Sequence, residues 1–224
     1  MKILFIHPNM PGQYKHLAHI AGSNPDNQVV FITKPREHIQ IPGVHKIEYK
    51  VSRQVMPDTH RYLINFERAI FQGQEVWRIC KKLKDSGFIP DVICAHPGWG
   101  DGLFIKDIFH NAPMLSFLEF YYSGYASDVG FLKDEKQSYD DAPRVRIKNA
   151  CNLYNLEICD WGISPTYWQW VQNPAIFRPK ISVLHDGIDT SYVAPNPATT
   201  QFTHKDKTFT KDMEIITYIS RNFE

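Results

Sequence analysis

Residues 1–18 read MKILFIHPNMPGQYKHLA, and this opening decides the fold. Residues 2–7 form a short apolar run, the pattern of a strand buried on both faces in a parallel sheet. Pro8 ends the ladder because proline has no N–H to donate. Asn9-Met10-Pro11-Gly12-Gln13 is a turn cluster. Residues 14–21 then have helical spacing, with Tyr14, Leu17, Ala18 and Ile20 as the expected apolar positions. Strand, glycine-containing turn and helix open a doubly wound α/β domain. The turn sits at the carboxyl end of the first strand, where open parallel sheets bind ligands. Its N–H groups and the helix N-terminus favour an anion.

The rest of the chain repeats the alternation. Strands are expected at 28–33, 44–49, 92–96, 114–120, 161–164, 181–185 and 214–220. Helices are expected at 61–86, 103–109, 143–159 and from 166 to before Pro174. The segment 121–142 has no clear period, and 191–211 has the Pro/Thr/Lys-rich composition of a linker. Alternation of this kind argues for a Rossmann-like parallel sheet with helices on both faces. The expected domains are 1–210, followed by a linker and the first strand of a truncated second domain at 211–224.

Composition narrows the class. A net charge of +1 over 224 residues gives no electrostatic reason for nucleic acid binding. Cys80, Cys94, Cys151 and Cys159 form no C-x-x-C pair, which reads as reduced thiols in the cytoplasm. There is no signal peptide pattern and no run of about 20 apolar residues. Contact with a membrane surface stays open.

Three strand ends carry the chemistry-bearing residues. These are His7-Pro8-Asn9 with Gly12, His96-Pro97-Gly98-Trp99-Gly100-Asp101, and Glu119-Phe120-Tyr121-Tyr122. A parallel sheet places all three on one rim. Taken singly, each has a plainer explanation. A rim histidine can be a hydrogen-bonded structural group, and Glu119 can cap a helix or pair with Arg144 or Arg146. Trp168 and Trp170 read as packing residues. Asp140-Asp141 reads as a solvated pair rather than a metal site, so no metal is expected. Asp186-Gly187 is expected to turn beside the same cleft. No G-x-G-x-x-G, G-x-x-x-x-G-K-[ST] or G-x-S-x-G motif occurs, which disfavours dinucleotide dehydrogenases, P-loop ATPases and α/β-hydrolases.

Five blocks in order carry a resemblance. They are the opening itself, PDVICAHPGWGDGLFIKD at 90–107, MLSFLEFYYSGYASDVGF at 114–131, RIKNACNLYNLEICDWGISPTYWQ at 146–169 and ISVLHDGIDTSYVAP at 181–195. Together they resemble the N-terminal half of a family 4 retaining glycosyltransferase of the GT-B fold. The resemblance implies a hexosyltransferase that moves a sugar from a nucleoside-diphosphate sugar to a hydroxyl acceptor. Polysaccharide or glycoconjugate synthesis is the implied setting, with a glycan or lipid-linked acceptor. It needs no cofactor or metal. The location is cytoplasmic, with the inner face of the membrane left open. It maps His96 to the catalytic histidine near the donor sugar. Gly12 and Arg221 map to the donor diphosphate, and Asn9, Gly98, Glu119 and Tyr121 to the acceptor and sugar. TYISRNFE, at 217–224, resembles the first strand of the nucleotide-sugar domain. The rest of that domain is absent, so the fragment alone is expected to be inactive. Two alternatives stay open: a non-catalytic glycan- or partner-binding module, and a nucleotide-sugar epimerase of the same architecture.

Overall fold

The computed structural model of this chain describes residues 1–125, 127 and 138–217. Seven parallel strands form one sheet: β1 (Lys2–Ile6), β2 (Gln28–Thr33), β3 (Val44–Glu48), β4 (Val92–Ala95), β5 (Met114–Phe117), β6 (Trp161–Ser164) and β7 (Ile181–Val183). Their order is β3-β2-β1-β4-β5-β6-β7. The order reverses between β1 and β4, so the crevice beyond their carboxyl ends is the topological switch point.

The sheet has a core on each face. Leu4 and Ile6 of β1 join Ile93, Ala95 and Met114 on one side. Phe5 points to the other, with Phe31 and Phe117. Successive side chains of a strand alternate between faces, so a strand buried on both sides is apolar throughout. Helix α1 (Lys15–Ser23) covers the Phe5 face through Ala18 and Ala21. Helix α2 (Ile64–Asp85) covers the other through Val76 and Cys80. All four cysteines are buried and free.

Several expectations need correction. Of the apolar positions expected in 14–21, Tyr14 and Ala18 are buried but Leu17 and Ile20 face solvent, and Ala21 is buried beside Ala18 instead. Residues 103–109 form a chain of turns rather than a helix. Side chains serve carbonyls in and just after this segment: Lys84 Nζ donates to Ile108 O at 2.8 Å and Lys106 Nζ to Ala112 O at 3.0 Å. The single helix expected at 143–159 is two, α3 (Asp141–Lys148) and α4 (Ala150–Ile158). Buried Asn149 sits at the break. It accepts from Tyr122 N at 2.8 Å and donates to Tyr122 O at 2.7 Å, and α4 adds Asn152 Nδ2 to Phe120 O at 2.9 Å. These asparagines fix the segment that follows β5. Helix α5 (Tyr167–Gln172) ends the series. On it, Trp170 packs against Leu118, Leu156 and Ile181, while Trp168 is half exposed.

The chain divides into two compact units, 1–186 and 187–224, so residue 210 falls within the second. The linker-like stretch in the second unit contains an antiparallel hairpin, β8 (Gln201–His204) with β9 (Lys207–Thr210). Phe202 and Phe209 stack across it at 4.9 Å. Residues 214–217 carry no strand, and 218–224, with Arg221, lie outside the described residues. Among the described residues no helix is long and apolar enough to cross a membrane.

Candidate functional site

β1 and β4 flank the switch point, and each ends in a His-Pro turn of the same design. After β1, the amide of Asn9 donates to Nδ1 of His7 at 2.9 Å. After β4, the amide of Gly98 donates to Nδ1 of His96 at 3.1 Å. In each case proline removes the ladder donor and the next amide turns back onto the imidazole. That bond assigns the tautomer: Nδ1 accepts, so Nε2 carries the proton of the neutral ring. The two rings meet edge to face at 5.3 Å between centroids. Trp99 closes over both, at 5.2 Å from His7 and 4.7 Å from His96.

The turns require their glycines. Gly12 has φ +52°, and a Cβ there would lie 2.6 Å from Cε1 of His7. Gly100 has φ +92°, and a Cβ there would lie 2.4 Å from the Ala69 carbonyl of α2. The His7 turn and the His96 turn are therefore each locked by a left-handed residue under close contact.

Glu119, two residues past β5, completes the site. His96 Nε2 lies 3.4 Å from its Oε2, and Gln13 Nε2 donates to the same oxygen at 3.1 Å. Of the two arginines expected as alternatives, Arg144 pairs with Asp141 at 3.1 Å. Asp140 is likewise taken, by Arg61 at 2.7 Å. The Asp186 pKa is raised by burial first, lowered in part by His185, and raised further by nearby Glu119. The strand ends of β1, β4 and β5 and the turn after β7 thus converge on one carboxylate.

The two histidines have different electrostatics. Burial, reinforced by His96, holds the His7 pKa down to about 4, against the side chain of Gln13. Its Nε2 is buried beside the Gln13 side chain and, among the described residues, has no partner at full hydrogen-bond geometry. His96 directs the same atom at a carboxylate. One ring is a neutral structural post, and the other can donate a charge-assisted hydrogen bond to whatever enters between it and Glu119.

The structure brings His96, Gly98, Glu119 and Gly12 together. Asn9 contributes its backbone to His7, but its side chain goes to Arg36. Tyr121 packs against Leu118, Leu156 and Ile181, not with the His7, His96 and Trp99 rings. Two contributors lie within the turn segments but carry no role expected from the sequence. Gln13 is only the last residue of a turn cluster, and Trp99 reads as one more turn residue. Asp101 is a third: fully buried, it accepts from the Tyr49 hydroxyl, and burial raises its pKa.

A seven-stranded parallel sheet with its polar groups gathered at the switch point is a Rossmann-like α/β domain, as found in one half of a GT-B protein. The chain belongs to the glycosyl transferase family 4 group, whose family model matches residues 25–193. His96 and Glu119 fall inside that match, and Gly12 precedes it. A search of curated proteins returns no match. Among solved structures, the chain is similar to a UDP-glucosyltransferase from Polygonum tinctorium, at 11% identity and TM-score 0.52 over 88% of this chain and 54% of that one. It is also similar to Phytolacca americana UGT2 complexed with UDP-2fluoro-glucose and pterostilbene, at 10% identity and TM-score 0.50 over 82% and 54%. UDP-GlcNAc 2-epimerase from Methanocaldococcus jannaschii matches at 13% identity and TM-score 0.44, over 82% and 45%. The chain spans about half the length of these structures.

Proposed function

We propose that this chain is the acceptor-binding half of a retaining glycosyltransferase that uses a nucleoside-diphosphate sugar. The observation that carries the reading is the His96–Glu119 pair at the switch point. Family membership supports the sugar chemistry. The polypeptide that performs the reaction would join this unit to a nucleotide-sugar-binding domain.

Transfer passes through an oxocarbenium-like transition state as the diphosphate leaves. In this reading the Nε2–H of His96 orients the donor sugar near its reacting carbon, and Glu119 takes a hydroxyl of the acceptor or sugar. The turn at Gly12, the N-terminal dipole of α1 and a cation at Arg221 offset the charge on the departing diphosphate without a metal. Retention follows from front-face attack, with a phosphate oxygen receiving the acceptor proton. No protein nucleophile is then needed. Asn9 in this reading positions His7 rather than touching sugar.

A screen of nucleotide sugars and acceptors on the two-domain protein tests the proposal. Acceptor-dependent sugar transfer is the expected result, with essentially none from the 224-residue chain alone. Turnover of a nucleotide sugar without any acceptor contradicts it and points to an epimerase. Robust transfer by the 224-residue chain contradicts the division of labour.

A further inference from the structure

A cleft of about 720 Å³ opens beyond the carboxyl ends of β2 and β3, on the same rim as His96. Four cations from three segments line it: Lys34 just after β2, Lys50 and Arg53 after β3, and Arg68 on α2. Among the described residues no aspartate or glutamate lines it. Among the described residues none of the four forms an ion pair. The whole chain has a net charge of only +1, so this concentration is local.

Two carboxylates outside the lining act on its lysines, Glu48 on Lys50 and buried Asp101 on Lys34, and both are also hydrogen-bonded. Glu48 is paired with Lys46 at 2.9 Å and accepts from the Arg36 amide at 3.2 Å. Asp101 accepts from Tyr49, whose ring lines the cleft. Gln72, only 9% exposed, also lines it. Its amide nitrogen is directed to Arg68 O at 3.4 Å, while its Oε1, just beneath the cleft surface, has no partner among the described residues.

Four like charges around one cavity repel one another unless an anion sits between them. Guanidinium groups match phosphate oxygens in paired N–H···O bonds, and ammonium groups add point charge. A carbonyl oxygen without a donor calls for a hydroxyl. Phosphate beside hydroxyl is the signature of a phosphorylated sugar or polyol.

We propose that this cleft binds the phosphate of a phosphorylated hydroxyl acceptor, with Arg53 and Arg68 as its main contacts and Gln72 Oε1 taking a hydroxyl of the same molecule. The proposal rests on the transferase reading for the word acceptor. Asp101 lies five residues after His96 and is tied to Tyr49 in the cleft, so the anchored end of such an acceptor and the reacting end share one rim.

The test titrates the 224-residue chain with inorganic phosphate and with glycerol 3-phosphate, read by amide chemical shifts and calorimetry. Binding is expected at the cleft, weakening as salt is raised. Arg53→Gln combined with Arg68→Gln changes two exposed side chains and should leave the circular dichroism unchanged. It should weaken phosphate binding by at least about tenfold. His96→Asn should leave phosphate binding unaltered. Vesicles of phosphatidylcholine with and without phosphatidic acid identify the source. Sedimentation with phosphatidic acid that the double variant loses assigns the phosphate to a lipid headgroup. Binding of the soluble phosphates alone assigns it to a soluble acceptor.

Absence of phosphate binding at tens of millimolar, roughly the limit of a weak contact pair, overturns the inference. So does equal binding by the double variant. Sugar transfer by a two-domain protein that binds no phosphate here leaves the transferase reading standing and removes this one. Phosphate binding without any transfer does the reverse.

Discussion

The His7 and His96 turns are built alike and end differently. Each follows a central strand, each has proline next, and each imidazole is capped at Nδ1 by the amide two residues on. Each turn is closed by a glycine with positive φ. The difference lies beyond Nε2. For His7 that atom is buried beside Gln13 with no fully formed hydrogen bond among the described residues, and for His96 it faces Glu119 at 3.4 Å. Local sequence builds the turn, and the neighbouring strand end decides whether the ring is structural or available for chemistry. A carboxylate supplied by β5 can reach the histidine after β4 because those strands are adjacent. The histidine after β1 lies one strand further away.

Matched substitutions separate the two. Asparagine retains an acceptor for the capping amide and removes the Nε2–H. His96→Asn in the two-domain protein should lower sugar transfer by roughly two to three orders of magnitude, the usual loss for one preorganised donor. Steady-state transfer rates check this.

The second prediction concerns His7 and pH. Its pKa is about 4 in the folded chain against 6.5 ordinarily. Between those values the unfolded chain binds a proton that the folded chain does not. Stability therefore rises with pH in this window and is lost as pH falls from 6.5 towards 4. The contribution is about 3 kcal/mol at most. Urea melts at pH 7 and near pH 4 should show that loss in the parent chain and a flatter dependence in His7→Asn. An unchanged slope would assign the acid sensitivity to other groups.

The third sharpens the shared part of the design. Gly12→Ala places a Cβ against the His7 ring at a left-handed φ. A cost of about 2 kcal/mol is expected, read as a lowered Tm. The smallest effect is at Glu119. Glu119→Gln keeps an acceptor for Gln13 and His96 but removes the charge. Transfer should fall by roughly tenfold, in the range of a weakened charge-assisted bond.

Much of the fold is legible in the sequence, for reasons visible in particular elements. β2 occupies the residues its apolar pattern marks, because a buried parallel strand can tolerate little else, and β6 falls at 161–164 as expected although Trp161 is half exposed. α2 is legible because Val76 and Cys80 recur at helical spacing and Gly87 stops it. The break at Asn149 is not, since it serves a segment some 27 residues away in sequence. The hairpin at 201–210 is hidden by polar composition, although Phe202 and Phe209 alternate with threonines at the period of a strand.

The site divides the same way. His7, His96 and Glu119 are legible because strand ends of a parallel sheet must share a rim. Tyr121 is misleading, since its strand-end position says nothing about which way the ring packs. Gln13 and Trp99 become visible only when the turns are assembled. The basic cleft is invisible in a chain of balanced charge, because Lys34, Lys50, Arg53 and Arg68 come from three separate stretches.

The most direct test of the distinction is the rate of sugar transfer by the His96→Asn and His7→Asn forms of the two-domain protein, measured side by side at pH 7. His96→Asn should lose roughly two to three orders of magnitude while His7→Asn stays within about tenfold of the parent. Equal losses, or a parent-like rate for His96→Asn, would contradict the assignment of His96 as the working histidine.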